Sequence, residues 1–159
     1  MFGQLRSKRE VIDVPERKTE DKSLDCLIMV RKQRIDRYER ERTEARDAWR
    51  AERLKLREVK TRWHEAVEAS KDFWQQARAE FFSMAITSGG FRKAKAIYER
   101  MKTHAAQLHL ECREAVAPCK DSRRAFFDAR RRLLDANRQY EKLGMLRDEM
   151  KLLNVEREI

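Results

Sequence analysis

Three histidines and three cysteines are the side chains here whose chemistry could support metal binding, nucleophilic attack or redox exchange. His64, His104 and His109 form no HExxH pair and stand at no zinc-ligand spacing with a cysteine. His104 and His109 are five residues apart, so a helix turns them to different faces. Cys26, Cys112 and Cys119 are odd in number and include no CxxC. That argues against a disulfide framework and fits a reducing cytosol. Cys112 and Cys119 are seven apart, the spacing at which a small apolar residue recurs along a helical seam. No phosphate-binding glycine loop, dinucleotide fingerprint or nucleophile elbow occurs. The expectation is a protein with no catalytic, cofactor-binding or metal-binding residues and no small-molecule substrate: not an enzyme.

Charge is the next candidate chemistry. Thirty-eight Lys and Arg against 28 Asp and Glu leave a net charge of +10, which nucleic acid, an anionic membrane surface or an acidic protein can exploit. Arg123-Arg124 and Arg130-Arg131-Arg132 fall near one helix face and form the best candidate for following phosphates. No RNA- or DNA-binding fold signature accompanies them. Elsewhere the charges alternate, as in Glu39-Arg40-Glu41-Arg42, the pattern of a solvated helix with i,i+4 pairs. A basic coiled coil that binds nucleic acid, or serves as a scaffold, is therefore the alternative reading; nucleic acid is not the expected partner.

The elements that must carry these residues are long helices. Only four Gly and two Pro punctuate the chain, and 42% of it is charged. Residues 1–22 are polar and aperiodic and read as a flexible tail, with Val11, Ile12 and Val14 as a short apolar anchor. Ser23 is the expected N-cap, with Asp25 in the first turn. From Leu24 a 4-3 spacing runs to Met84 without a slip, and 13 of its 18 positions are apolar where about seven follow by chance. A second such pattern runs from Phe91 to Arg157 with 16 of 20 positions apolar. The chain's one Gly pair, Gly89-Gly90, lies between the two.

This predicts an all-α fold over 23–157: a long two-helix antiparallel coiled-coil hairpin with helix 24–87, turn 88–90 and helix 91–157. A turn there places residue i opposite residue 178 − i, so Trp49 meets Ala129, Trp63 meets Ala115 and Phe73 meets Ala105. Large opposite small is how facing layers fill space. Pro118 falls inside the second helix, where Pro removes a hydrogen bond and costs about 3 kcal/mol. Because the heptad phase continues through it, a kink is expected; a break giving helices 24–87, 91–116 and 119–156 is the other arrangement.

Two places offer partner chemistry. Val67, Trp74 and Phe81, spaced by seven, flank the first helix near the turn, with Phe82, Ile86 and Ile97 close by. They either broaden the local core or form a docking patch. At the open end the same register sets Arg31 opposite Arg147 and Leu24 opposite Asn154, which predicts a looser, basic tip. No apolar stretch approaches the roughly 20 residues of a membrane span, and the first residues lack a signal peptide's apolar region, so a cytoplasmic location without membrane insertion is expected.

The segment Leu24-Asp25-Cys26-Leu27-Ile28-Met29-Val30-Arg31-Lys32-Gln33-Arg34 is similar to the apolar-then-basic opening of the first helix in YscO-like proteins. With its length, charge and hairpin symmetry, the chain from about residue 24 to 157 resembles the FliJ/YscO family. These are central-stalk proteins of flagellar and virulence type III secretion systems. Pro118 and the 22-residue leader depart from the family's pattern. The resemblance implies that the end carrying both termini enters the pore of a hexameric secretion ATPase. It further implies that the hairpin reaches the cytoplasmic domain of the export gate at the inner membrane, and that export chaperones are further partners. On that basis Arg31, Arg34, Arg147 and Lys151 are the candidate ATPase contacts, and Trp74, Phe81 and Phe82 the candidate gate contacts.

Overall fold

Two helices account for almost all of the computed structural model, which describes residues 22–158. The expected tail over 1–22, with its Val11, Ile12 and Val14 anchor, lies outside the described residues apart from Lys22. Helix α1 spans Ser23–Phe82 and helix α2 spans Ser88–Glu158, and they contact each other along the hairpin. The all-α two-helix hairpin is the fold. Lys22, not Ser23, occupies the N-cap of α1; its carbonyl accepts the Cys26 N–H at 3.0 Å, and Asp25 lies in the first turn.

The turn sits earlier than the glycine pair. α1 stops at Phe82, five residues before the expected boundary, through a Schellman motif. The Met84 N–H donates to the Phe81 carbonyl at 3.1 Å and the Ala85 N–H to the Glu80 carbonyl at 2.8 Å. Met84 takes the left-handed conformation, φ 56°, that such an end requires. Thr87 is then the N-cap of α2: its hydroxyl oxygen accepts the Gly90 N–H at 3.1 Å and its carbonyl accepts the Phe91 N–H at 2.9 Å. Ile86 and Phe91 occupy the two positions of a hydrophobic staple. Gly89 and Gly90 are thus in the first turn of α2, with neither at positive φ, and the loop is 83–87 where 88–90 was expected.

Moving the bend back along the chain moves the register by twice as much. Trp74 stacks with Tyr98, Trp63 with His109 and Phe81 with Phe91, so residue i lies near 172 − i and not 178 − i. The shift is close to one heptad, which explains why seam positions still meet seam positions. The buried residues Ser70, Ala77, Ala105, Leu108, Cys112, Ala129, Leu133 and Ala136 all fall on the two predicted heptad ladders. Trp49 lies against Phe126 and Phe127, and Trp63 against His109. Ser70 is accommodated in the seam because its hydroxyl donates to the Val67 carbonyl at 2.8 Å.

Helix α2 continues through Pro118, so the three-helix arrangement does not form. Pro118 and Glu114, four residues before it, are both exposed, and water can take the bond that the missing N–H leaves open. Among the described residues no helix is long and apolar enough to cross a membrane.

Candidate interaction surfaces

The closed end is an aromatic cluster built across the turn. Heptad spacing in α1 puts Trp74 and Phe81 on the side that meets the start of α2. Trp74 stacks on Tyr98 with centroids 4.8 Å apart and lies 5.5 Å from Phe91; Phe81 stacks on Phe91 at 4.4 Å. These two predicted contact residues therefore join the hairpin's own packing. Phe82, one step round the helix, is 75% exposed and touches only the edge of Phe81 among aromatic rings. Of the three aromatics it is the most exposed, Phe81 being partly exposed as well and Trp74 half-buried. Tyr98 and Phe91 were not singled out in the sequence reading, although both stand on the predicted ladder of α2.

At the open end the predicted facing pair Arg31 and Arg147 is not formed. The Arg31 guanidinium donates to Gln139 Oε1 across the seam. Arg147 keeps its buried Nε 3.5 Å from Asp148 Oδ1, an ion-pair distance without hydrogen-bond geometry. Arg34 and Lys151 are exposed. With this register α1 begins opposite the region of residue 148, so roughly the last ten residues of α2, about 15 Å of helix, extend past the start of α1. Asn154 lies on that extension and does not face Leu24. Met150, Leu152, Leu153 and Val155 are exposed there, and Leu27, Met29 and Val30 are exposed on the first turns of α1. These apolar residues lie off the heptad ladder or beyond its partner.

The arginine cluster of α2 is exposed, and three of its members also make contacts within the hairpin. Arg124 lies 4.0 Å from Asp121, and Arg132 reaches across the seam to Glu41 at 3.8 Å. The Arg123 guanidinium covers the Phe127 ring at 5.7 Å. Trp63 is flanked by His64 at 4.7 Å and His109 at 4.6 Å, an aromatic stack with no third ligand beside it. Among the described residues no three His, Cys, Asp or Glu side chains converge to hold a metal ion. Cys112 is buried in the seam, Cys119 is half-buried and Cys26 is exposed, all as free thiols.

These features define a basic, antiparallel two-helix coiled coil with chemically different ends. No family model, no curated protein and no solved structure matches the chain.

Proposed function

We propose that this chain is a coupling stalk of a type III secretion apparatus, a rod that links a hexameric secretion ATPase to the cytoplasmic domain of the export gate. The observation that carries this reading is the end of α2, which has no partner helix among the described residues. About ten residues of helix extend past α1 with Leu152, Leu153 and Val155 exposed and Arg147 and Lys151 alongside. A helix end that exposes Leu152, Leu153 and Val155, and that has no partner helix among the described residues, is suited to insertion into a protein ring. The resemblance of Leu24–Arg34 to the opening of YscO-like proteins supports the same assignment.

On this reading Arg31, Arg34, Arg147 and Lys151 meet the ATPase ring, Phe82 with the neighbouring Trp74 and Phe81 meets the gate, and the rod works in the cytoplasm beside the inner membrane. Export chaperones are further partners. The test is affinity capture of tagged protein from lysate of the native host, with nuclease treatment and mass spectrometry. Recovery of both a hexameric ATPase and an export-gate protein is expected, with the ATPase lost from a Leu152→Glu/Leu153→Glu variant and the gate retained. Recovery of nucleic-acid-associated proteins alone, released by nuclease, overturns the stalk reading.

A further inference from the structure

A groove along the middle of the hairpin is unusual in its charge. Arg53, Arg57 and Lys60 of α1 and Lys120 and Arg123 of α2 form its walls, and all five are exposed. Its floor is the half-buried strip of Trp49, Leu56, Val116 and Cys119. No carboxylate lines it. The grooves over Ala66, over Thr43, at the closed tip and beside Leu134 each include at least one. None of the five cations takes part in any ion pair of the described residues, although Lys55, Lys71, Lys102, Arg124, Arg132 and Arg138 all do. Like charges held together without counter-charge repel one another, and an incoming acidic group relieves that repulsion.

We propose that this groove docks an acidic amphipathic helix of a partner protein, laid along the seam as a local third helix. The two walls come from two helices and leave an apolar strip between them, the form a helix with apolar residues at i, i+3 or i+4, and i+7 fills. Carboxylates flanking that stripe meet the wall cations. Arg53 and Lys60 are seven residues apart, about 10 Å along α1, so both face the same side over two turns of the guest. Single-stranded nucleic acid fits less well because it binds by stacking bases on open aromatic faces. Trp49 already stacks on Phe126 at 5.5 Å and lies under the Arg53 guanidinium at 5.1 Å. The inference stands on the groove alone and not on the stalk assignment.

The test uses the full chain and a fluorescein-labelled acidic peptide of roughly 20 residues, with Leu at heptad a and d and Glu at e and g. Fluorescence anisotropy compares it with a sequence-scrambled isomer and with a labelled oligothymidine. The ordered peptide is expected to bind more tightly than either. Arg57→Glu/Arg123→Glu is expected to weaken it by about tenfold or more, and Arg124→Glu, outside the groove, is expected to leave it unchanged. Far-UV circular dichroism of each variant confirms that the hairpin is retained; Arg57→Ala/Arg123→Ala repeats the test without charge reversal. Equal binding of the scrambled isomer, indifference to Arg57 and Arg123, or displacement of the peptide by oligothymidine overturns the proposal. So does self-association in sedimentation that the same charge reversals abolish, since a second copy would then be the occupant.

Discussion

The indole of Trp74 stacks on the ring of Tyr98, 4.8 Å apart and 15° from parallel, and so joins α1 to α2 a few turns from the loop. Trp74→Ala removes that stack and a half-buried side chain. A fully buried Trp→Ala costs about 3–5 kcal/mol, and about 2 kcal/mol is expected at this half-buried site. Phe82→Ala, at the exposed position next to Phe81, is expected to change stability by less than about 0.5 kcal/mol. Urea unfolding followed by circular dichroism measures both. Equal effects would mean that the closing cluster does not hold the hairpin, and Phe82→Ala is the variant with which gate binding is cleanly tested.

The loop chemistry makes a second prediction. Gly89 and Gly90 lie in the first turn of α2 at ordinary helical φ, and an added Cβ meets nothing closer than 3.5 Å. Gly89→Ala and Gly90→Ala should each stabilise the fold by up to about 1 kcal/mol. Met84, at φ 56°, carries the left-handed strain. Met84→Gly should stabilise by about 0.5–1 kcal/mol, relief of strain outweighing the entropy of a freer unfolded chain. If the glycines instead formed the bend at positive φ, alanine at either would lower the thermal midpoint.

The register is tested by a double-mutant cycle. Trp49 stacks on Phe126 at 5.5 Å, so Trp49→Ala and Phe126→Ala should be coupled by about 0.5–1.5 kcal/mol. Coupling of Trp49→Ala to Ala129→Gly, one turn further along α2, should be weaker than that. Strong coupling in the second cycle and none in the first would restore the 178 − i pairing.

Pro118 lies in the interior of α2 and is exposed. Pro118→Ala restores a backbone donor and removes the ring's clash with the preceding turn, and stability should rise by about 2–3 kcal/mol. A proline that opened a new helix would be well placed there, and its replacement by Ala would then be neutral or destabilising.

The heptad ladders made the fold legible: each buried residue among those described stands on one, and two long helices carry them, although the boundaries at the turn differ from those expected. The turn was misplaced because the usual signals were attached to other residues. A Met took the left-handed C-terminal position that glycine normally fills, and Thr87, read as the end of the first helix, caps the second. The four-residue error in the bend cost the register about one heptad, and heptad periodicity hid it, since the same ladders still face each other. Arg31 shows the consequence for function: its partner is Gln139, not Arg147. The basic groove was only half visible, through Arg123, because the cations facing it from α1 are recognised as neighbours once the pairing is known.

The hairpin's connectivity orders its assembly in time. Trp74 and Tyr98 are separated by 24 residues of chain, whereas Arg31 and Gln139 are separated by 108. Closing the short loop first is entropically cheapest, and each later contact then extends an existing pair of helices. The two helices are therefore expected to zip from the aromatic cluster towards the open end. Run backwards, the same order makes the Arg31 end the first to fray, so amide hydrogen exchange should quicken steadily from residue 74 back to residue 23.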